Sequence, residues 1–262
     1  MTVQSFTTDD GCRIAYRFDG PEDAPVLLLS NSLGTDMHMW DPQVPAFSEH
    51  FRVLRYDSRG HGGSESPAGG YSMDRLGRDA VLLLDAVGVA RAQFCGLSMG
   101  GMVGQWLGVR APERVGKLIL ANTSAYMGPP SGWQSRIEAV RANGMAPLAD
   151  ASIARWFTPE FPARAPEAVA PIRDMLLACD VQGYSGCCAA IRDMDLRPSA
   201  ALITPPTLVI AGRQDPSTSV EDGRWLADAA KDGRLVEIDA AHLSNVEKPN
   251  EFQAAVLDFL TA

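Results

Sequence analysis

Short, unbroken apolar runs punctuate the chain at residues 26–30, 51–56, 92–95, 117–121, 207–211 and 235–238. Turn-forming residues bound each run, and stretches long enough for helices separate them. Hydrophobicity that is continuous rather than alternating predicts strands covered on both faces, as in a parallel sheet with crossover helices. Between Asp74 and Val87 the positions Leu76, Ala80, Leu83, Leu84 and Val87 recur at helical spacing and stop at Gly88, a helix C-cap. A second helix is predicted from Ser98 through Met102, Val103 and Trp106, and an amphipathic one over 250–260. The expected fold class is therefore α/β, with a mostly parallel, doubly wound sheet.

One stretch breaks this rhythm. From Pro129 to Pro198 no strand pattern is visible, and helix-like pieces fall at 132–143, 148–157 and 165–179. We read residues 129–198 as a helical lid inserted into a sheet domain made of 1–128 and 199–262. No internal repeats, low-complexity tracts or heptads occur.

Composition narrows the function classes. The 262 residues are 46% hydrophobic and 21% charged, ordinary for a globular protein, and carry a net charge of −9. A surface of that sign repels nucleic acid and anionic membranes, so neither is expected as a partner. No apolar run approaches the roughly 18–20 residues of a membrane span. The N-terminal segment shows neither a basic nor an apolar signal region, so a cytoplasmic location is expected. The five cysteines, at 12, 95, 179, 187 and 188, form neither a disulfide framework nor a zinc spacing. Asn122-Thr123-Ser124 matches the glycosylation pattern by chance in that compartment. Oligomeric state is not encoded in any pattern of the chain.

Candidate chemistry begins at Gly96-Leu97-Ser98-Met99-Gly100. A serine hydroxyl is a poor nucleophile until a neighbouring base takes its proton, so it must be exposed to base and substrate together. A sharp strand-to-helix turn gives that exposure but crowds the backbone, which calls for small residues two positions either side. Here an apolar run precedes Ser98 and a helical pattern follows it. Of the four histidines, only His242 comes after Ser98; it follows the 235–238 run and precedes the final helix. The acid must lie between them at a strand end. Asp215 fits, in the turn after the 207–211 run; Asp222 and Asp228 fall in a predicted helix, and Asp239 is too near His242 in sequence. An oxyanion needs two convergent backbone donors, expected from Met99, next to the nucleophile, and Leu33, in the loop Asn31-Ser32-Leu33-Gly34.

Together, Gly96-Leu97-Ser98-Met99-Gly100-Gly101, Asp57-Ser58-Arg59-Gly60-His61-Gly62-Gly63-Ser64, Gly212-Arg213-Gln214-Asp215 and the Ala241-His242 loop resemble the α/β-hydrolase superfamily. Within it the chain is similar, over nearly its whole length, to 3-oxoadipate enol-lactonases of the β-ketoadipate pathway. The runs Ser135-Arg136-Ile137, Ala154-Arg155-Trp156-Phe157-Thr158-Pro159 and Cys187-Cys188-Ala189-Ala190-Ile191-Arg192-Asp193-Met194-Asp195 carry that narrower likeness. One departure is Asn31-Ser32, where the superfamily commonly has His-Gly; Ser32 lacks glycine's access to positive φ. The 57–64 run is expected to be structural, with His61 fixing a loop rather than reacting.

The resemblance implies acyl transfer from a small anionic lactone through Ser98, His242 and Asp215, with no metal or organic cofactor. Its free carboxylate calls for an arginine, which suits bidentate recognition better than lysine. The stretch 129–198 holds seven arginines, no lysine and eight acidic residues. Of these we expect Arg136, beside Trp133, to bind the carboxylate, with Trp133 and Trp156 as apolar walls. A broad carboxylesterase or cofactor-free perhydrolase is the alternative, and a non-catalytic receptor on the same scaffold a third. A haloalkane dehalogenase would need aspartate where this chain has Ser98.

Overall fold

The computed structural model describes residues 2–262. Met1, part of the N-terminal unit expected from sequence, lies outside them. Eight strands form one sheet: β1 (Gln4–Thr7), β2 (Arg13–Asp19), β3 (Val26–Ser30), β4 (Arg52–Tyr56), β5 (Ala92–Leu97), β6 (Val115–Ala121), β7 (Thr207–Gly212) and β8 (Gly233–Ile238). Their order is β1-β2-β4-β3-β5-β6-β7-β8. The pairs β1–β2 and β2–β4 are antiparallel, and every other pair is parallel. The six apolar runs fall in the six parallel strands, and in the sheet's interior the physical reason is burial: β7 is buried along its whole length and β3 everywhere but Val26, whereas β8, at the edge, is buried only at Ile238.

The helices are α1 (Val44–Ser48), α2 (Met73–Ala86), α3 (Met99–Arg110), α4 (Pro130–Asn143), α5 (Ala149–Trp156), α6 (Phe161–Arg164), α7 (Pro166–Ala178), α8 (Val181–Asp193), α9 (Val220–Ala229), α10 (Ser244–Glu247) and α11 (Pro249–Thr261). Helix α3 packs on β3, β5 and β6 and against α2, while α1 and α11 pack together. Helix α2 ends one residue earlier than its apolar pattern. Val87 is the C-cap and Gly88, at φ +70°, follows it; the Gly88 and Val89 N–H groups bond the carbonyls of Asp85 and Leu84.

Five helices, α4 to α8, fall between β6 and β7, inside the strandless stretch. Three of them coincide with the expected pieces. Helix α8 is not among the expected pieces: its buried stripe of Tyr184, Cys187, Cys188 and Ile191 is broken up in sequence by Gly183, Ser185 and Gly186, which are buried as well. It packs against α4.

Candidate active site

The turn from β5 into α3 positions Ser98, the expected nucleophile. Ser98 sits at φ 58°, ψ −115°, a region costly for a residue with a Cβ. Backbone bonds hold it there: Ser98 N–H donates to Ala121 O (2.9 Å), and Met102 N–H donates to Ser98 O (3.0 Å). The flanking glycines are required sterically. A Cβ on Gly96 would stand 2.1 Å from the Gly100 carbonyl oxygen, and one on Gly100 2.1 Å from that of Ser30. The hydroxyl is thereby left at the carboxyl edge of the sheet, at the start of a helix.

His242 reaches this hydroxyl from the loop after β8. Its Nε2 lies 2.9 Å from Ser98 Oγ, and its Nδ1 lies 2.8 Å from Asp215 Oδ2. Asp215, in the turn after β7, also accepts from the N–H groups of Ser217 (2.8 Å) and Thr218 (3.1 Å), Thr218 Oγ1 (2.6 Å) and Asn122 Nδ2 (3.1 Å). Burial alone would raise the Asp215 pKa, but the attraction of His242 and these donors hold it below the usual carboxylate range. An ionised carboxylate only accepts, so the Nδ1 proton faces Asp215 and Nε2 is free to accept from Ser98. Asn122 also donates to Ala241 O (3.2 Å), tying the acid's loop to the histidine's. The sequence singled it out only within a chance glycosylation pattern; its place at the carboxyl end of β6 was the usable signal.

The N–H groups of Leu33 and Met99 have no protein acceptor among the described residues. Leu33 lies in a loop pinned from several sides. Asn31 Nδ2 donates to Tyr56 O and its Oδ1 accepts from Trp40 Nε1, both at 2.9 Å. Gly34 N–H donates to His61 Nε2 at 2.9 Å. Gly34, at φ +81°, makes the left-handed turn here, and Ser32 stays outside that region. The serine in place of glycine is thus accommodated, and Asn31 supplies the anchoring. His61 is fully buried and its pKa falls to about 4 because of that burial, so it is neutral and fixes the loop as expected. Asp57 anchors the same region by accepting from Met37 N–H (2.7 Å) and Gly63 N–H (2.8 Å).

Above Ser98 opens a cavity of about 300 Å³. Ser98, His242, Leu33, Trp133, Arg136 and Trp156 line it, while Asp215 and Met99 lie buried behind the first two. All eight residues expected from sequence therefore converge on one place. Arg136 lies over the Trp133 ring, 4.7 Å from its centroid, and Trp133 Nε1 donates to Met127 O (2.7 Å). Ser152, Arg155 and Tyr184, which are not among the eight, also line the cavity. Among the described residues, no three His, Cys, Asp or Glu are grouped to hold a metal ion, and no helix is long and apolar enough to cross a membrane.

Comparison with known proteins agrees with this geometry. The family model described as alpha/beta hydrolase fold matches residues 25–249. The chain is 44% identical over 241 residues to 3-oxoadipate enol-lactonase 2 of Acinetobacter baylyi, covering 92% of this chain and 90% of the relative. Its fold superposes with a TM-score of 0.97 on the enol-lactonase from Burkholderia xenovorans, at 46% identity, covering 99% of this chain and 100% of that one. A hydrolase from Pseudomonas aeruginosa also gives 0.97, at 50% identity, covering 99% and 98%. The chain belongs to the alpha/beta hydrolase fold family and is a relative of its 3-oxoadipate enol-lactonases.

Proposed function

We propose that this protein hydrolyses 3-oxoadipate enol-lactone to 3-oxoadipate, with Ser98 as nucleophile, His242 as general base and acid, and Asp215 orienting the imidazole. The observation that carries the chemistry is the unbroken line Ser98 Oγ–His242–Asp215, with bonds of 2.9 and 2.8 Å. The observation that favours an anionic substrate is an arginine in the wall of the same cavity.

Ser98 Oγ attacks the lactone carbonyl carbon while its proton passes to His242 Nε2. The resulting oxyanion accepts from the N–H groups of Leu33 and Met99, whose free donors support this role. Collapse of the tetrahedral intermediate breaks the ring C–O bond, and the departing enolate oxygen takes the proton from His242. The enol tautomerises to the ketone, which makes ring opening effectively irreversible. Water, deprotonated by His242, then attacks the acyl ester and releases Ser98. Arg136 binds the substrate carboxylate, with Trp133 and Trp156 as apolar walls. Residues 129–198 act as a cap over a core of 1–128 and 199–262, an assignment supported by the insertion of α4 to α8 between β6 and β7. Five buried free thiols are in keeping with a reducing, cytoplasmic setting.

A progress curve with the enol-lactone, run for wild type and Ser98→Ala, tests the reading. Rapid hydrolysis by wild type alone is expected. Wild-type inactivity beside ready cleavage of p-nitrophenyl acetate would leave an esterase and remove the lactonase.

A further inference from the structure

The seven arginines of the cap segment sort into groups by what surrounds them. Arg173, Arg192 and Arg197 pair with Asp150, Asp193 and Asp195. Arg141 and Arg164 are exposed. Arg136 and Arg155 are half-buried, line the Ser98 cavity, and have no carboxylate within 4.0 Å among the described residues. The hydrogen bond of Arg155 is a long one, from Nη2 to Ser152 Oγ at 3.3 Å.

Resting on the reading of an anionic substrate, we infer that Arg155, with Ser152 one helical turn before it, completes with Arg136 a seat for a single carboxylate. Two cations sharing a partly dry cavity repel one another, and desolvation adds to the cost. Burial, and then the charge of Arg136, both push the Arg155 pKa down, as expected of a cation lacking its counterion. A carboxylate supplies two oxygens with about four acceptor sites, enough for two guanidinium groups and a hydroxyl. It would turn the least favourable electrostatics of the cavity into its strongest contact.

The seat is also held at a fixed distance from the chemistry. Leu243 N–H, next to His242, donates to Trp156 O at 2.9 Å. The buried Glu247 carboxylate accepts from Ala241 N–H (2.9 Å) and from the N–H and hydroxyl of Thr158. Helix α5, which carries Ser152 and Arg155, is thus latched through the residues at its C-terminal end to the loop of the catalytic base. The site recognises an acyl group with a carboxylate one short chain away, and discriminates by length.

Calorimetric titration with adipate, a six-carbon dicarboxylate, reads the seat without turnover. Wild type is expected to bind, and Arg155→Met to bind at least about tenfold more weakly, the scale of a lost charge-assisted contact. Arg155→Lys keeps the charge but not the fork and should fall between them. Arg141→Met, outside the cavity, should stay within about twofold on the same reasoning. Thermal midpoints of the variants report whether each is folded, and Arg155→Lys carries the test if the methionine variant is not. Equal affinity in wild type and the Arg155 variants, or no binding to wild type at millimolar adipate, overturns the inference. The enol-lactone progress curve is a separate readout: adipate binding through Arg155 in an enzyme inert to the lactone would sink the substrate and keep the seat.

Discussion

On the sheet side of the molecule, Arg55 and Arg59 are almost fully buried, and each is saturated with acceptors. Arg55 bonds Asp19, Asp41 and the Met37 carbonyl, and Arg59 bonds both oxygens of Asp79 and both of Asp10. On the cap side, Arg136 and Arg155 are half-buried beside one cavity and have no carboxylate within 4.0 Å among the described residues. Burying a guanidinium costs several kcal/mol unless its donors are met within the fold or by something that binds. The first pair has been met by the fold; the second is the pair we propose a ligand meets. The same division runs through the active site, where both carboxylate oxygens of Asp215 are engaged and, among the described residues, the N–H groups of Leu33 and Met99 are not.

Substitutions on either side should therefore fail differently. The largest effect is at the nucleophile: Ser98→Ala should lower kcat about 10⁶-fold on every ester, charged or neutral. Asp215→Asn comes next, at about 10⁴-fold in kcat, because an amide no longer enforces the proton on His242 Nδ1. Steady-state assays on an anionic lactone and a neutral ester check both, and unequal losses on the two substrates would break the comparison. Asp79→Asn leaves Arg59 with a weakened partner in the interior and should cost about 3 kcal/mol or more in urea unfolding, without changing charge selectivity.

His61 gives a pH signature of the sheet side. Its folded pKa of about 4 lies below the unfolded value near 6.5, so the unfolded chain binds the extra proton between these limits. Stability from this group is complete above pH 6.5 and is lost as pH falls towards 4, by about 3 kcal/mol. His61→Gln should flatten that slope in urea titrations across the window. Asp57, raised to about 6 by burial, slopes the other way in both proteins and cancels in the difference. The smallest effect falls on the cap side: Arg136→Met should cut kcat/KM for an anionic lactone about 10- to 100-fold, with a much smaller loss on a neutral ester. An unchanged ratio removes Arg136 from the substrate site.

What was legible in the sequence follows from the same physics. Parallel strands such as β7 are apolar throughout because both faces are covered, so the sheet's centre stood out. The antiparallel strands β1 and β2 did not: β1, at the sheet's edge, is exposed along nearly all its length, and β2, between β1 and β4, mixes Arg13, Arg17 and Asp19 into its pattern. The triad was readable because its members must lie at strand ends in a set order, and only one histidine follows Ser98. Asn122 and Thr218 were hidden because a donor to Asp215 can come from any loop that folding brings near. Arg155 was hidden because its distinction, a missing partner, is a property of the folded surroundings and not of its neighbours in sequence.

The central claim is that this cavity opens a lactone which it holds by a free carboxylate. The most direct test compares kcat/KM for 3-oxoadipate enol-lactone with that for the same lactone methyl-esterified at the carboxylate, which preserves the ring and cancels the charge. The paired arginines predict a preference for the acid of about 100-fold, two charge-assisted contacts' worth. Equal values for acid and ester would contradict the account.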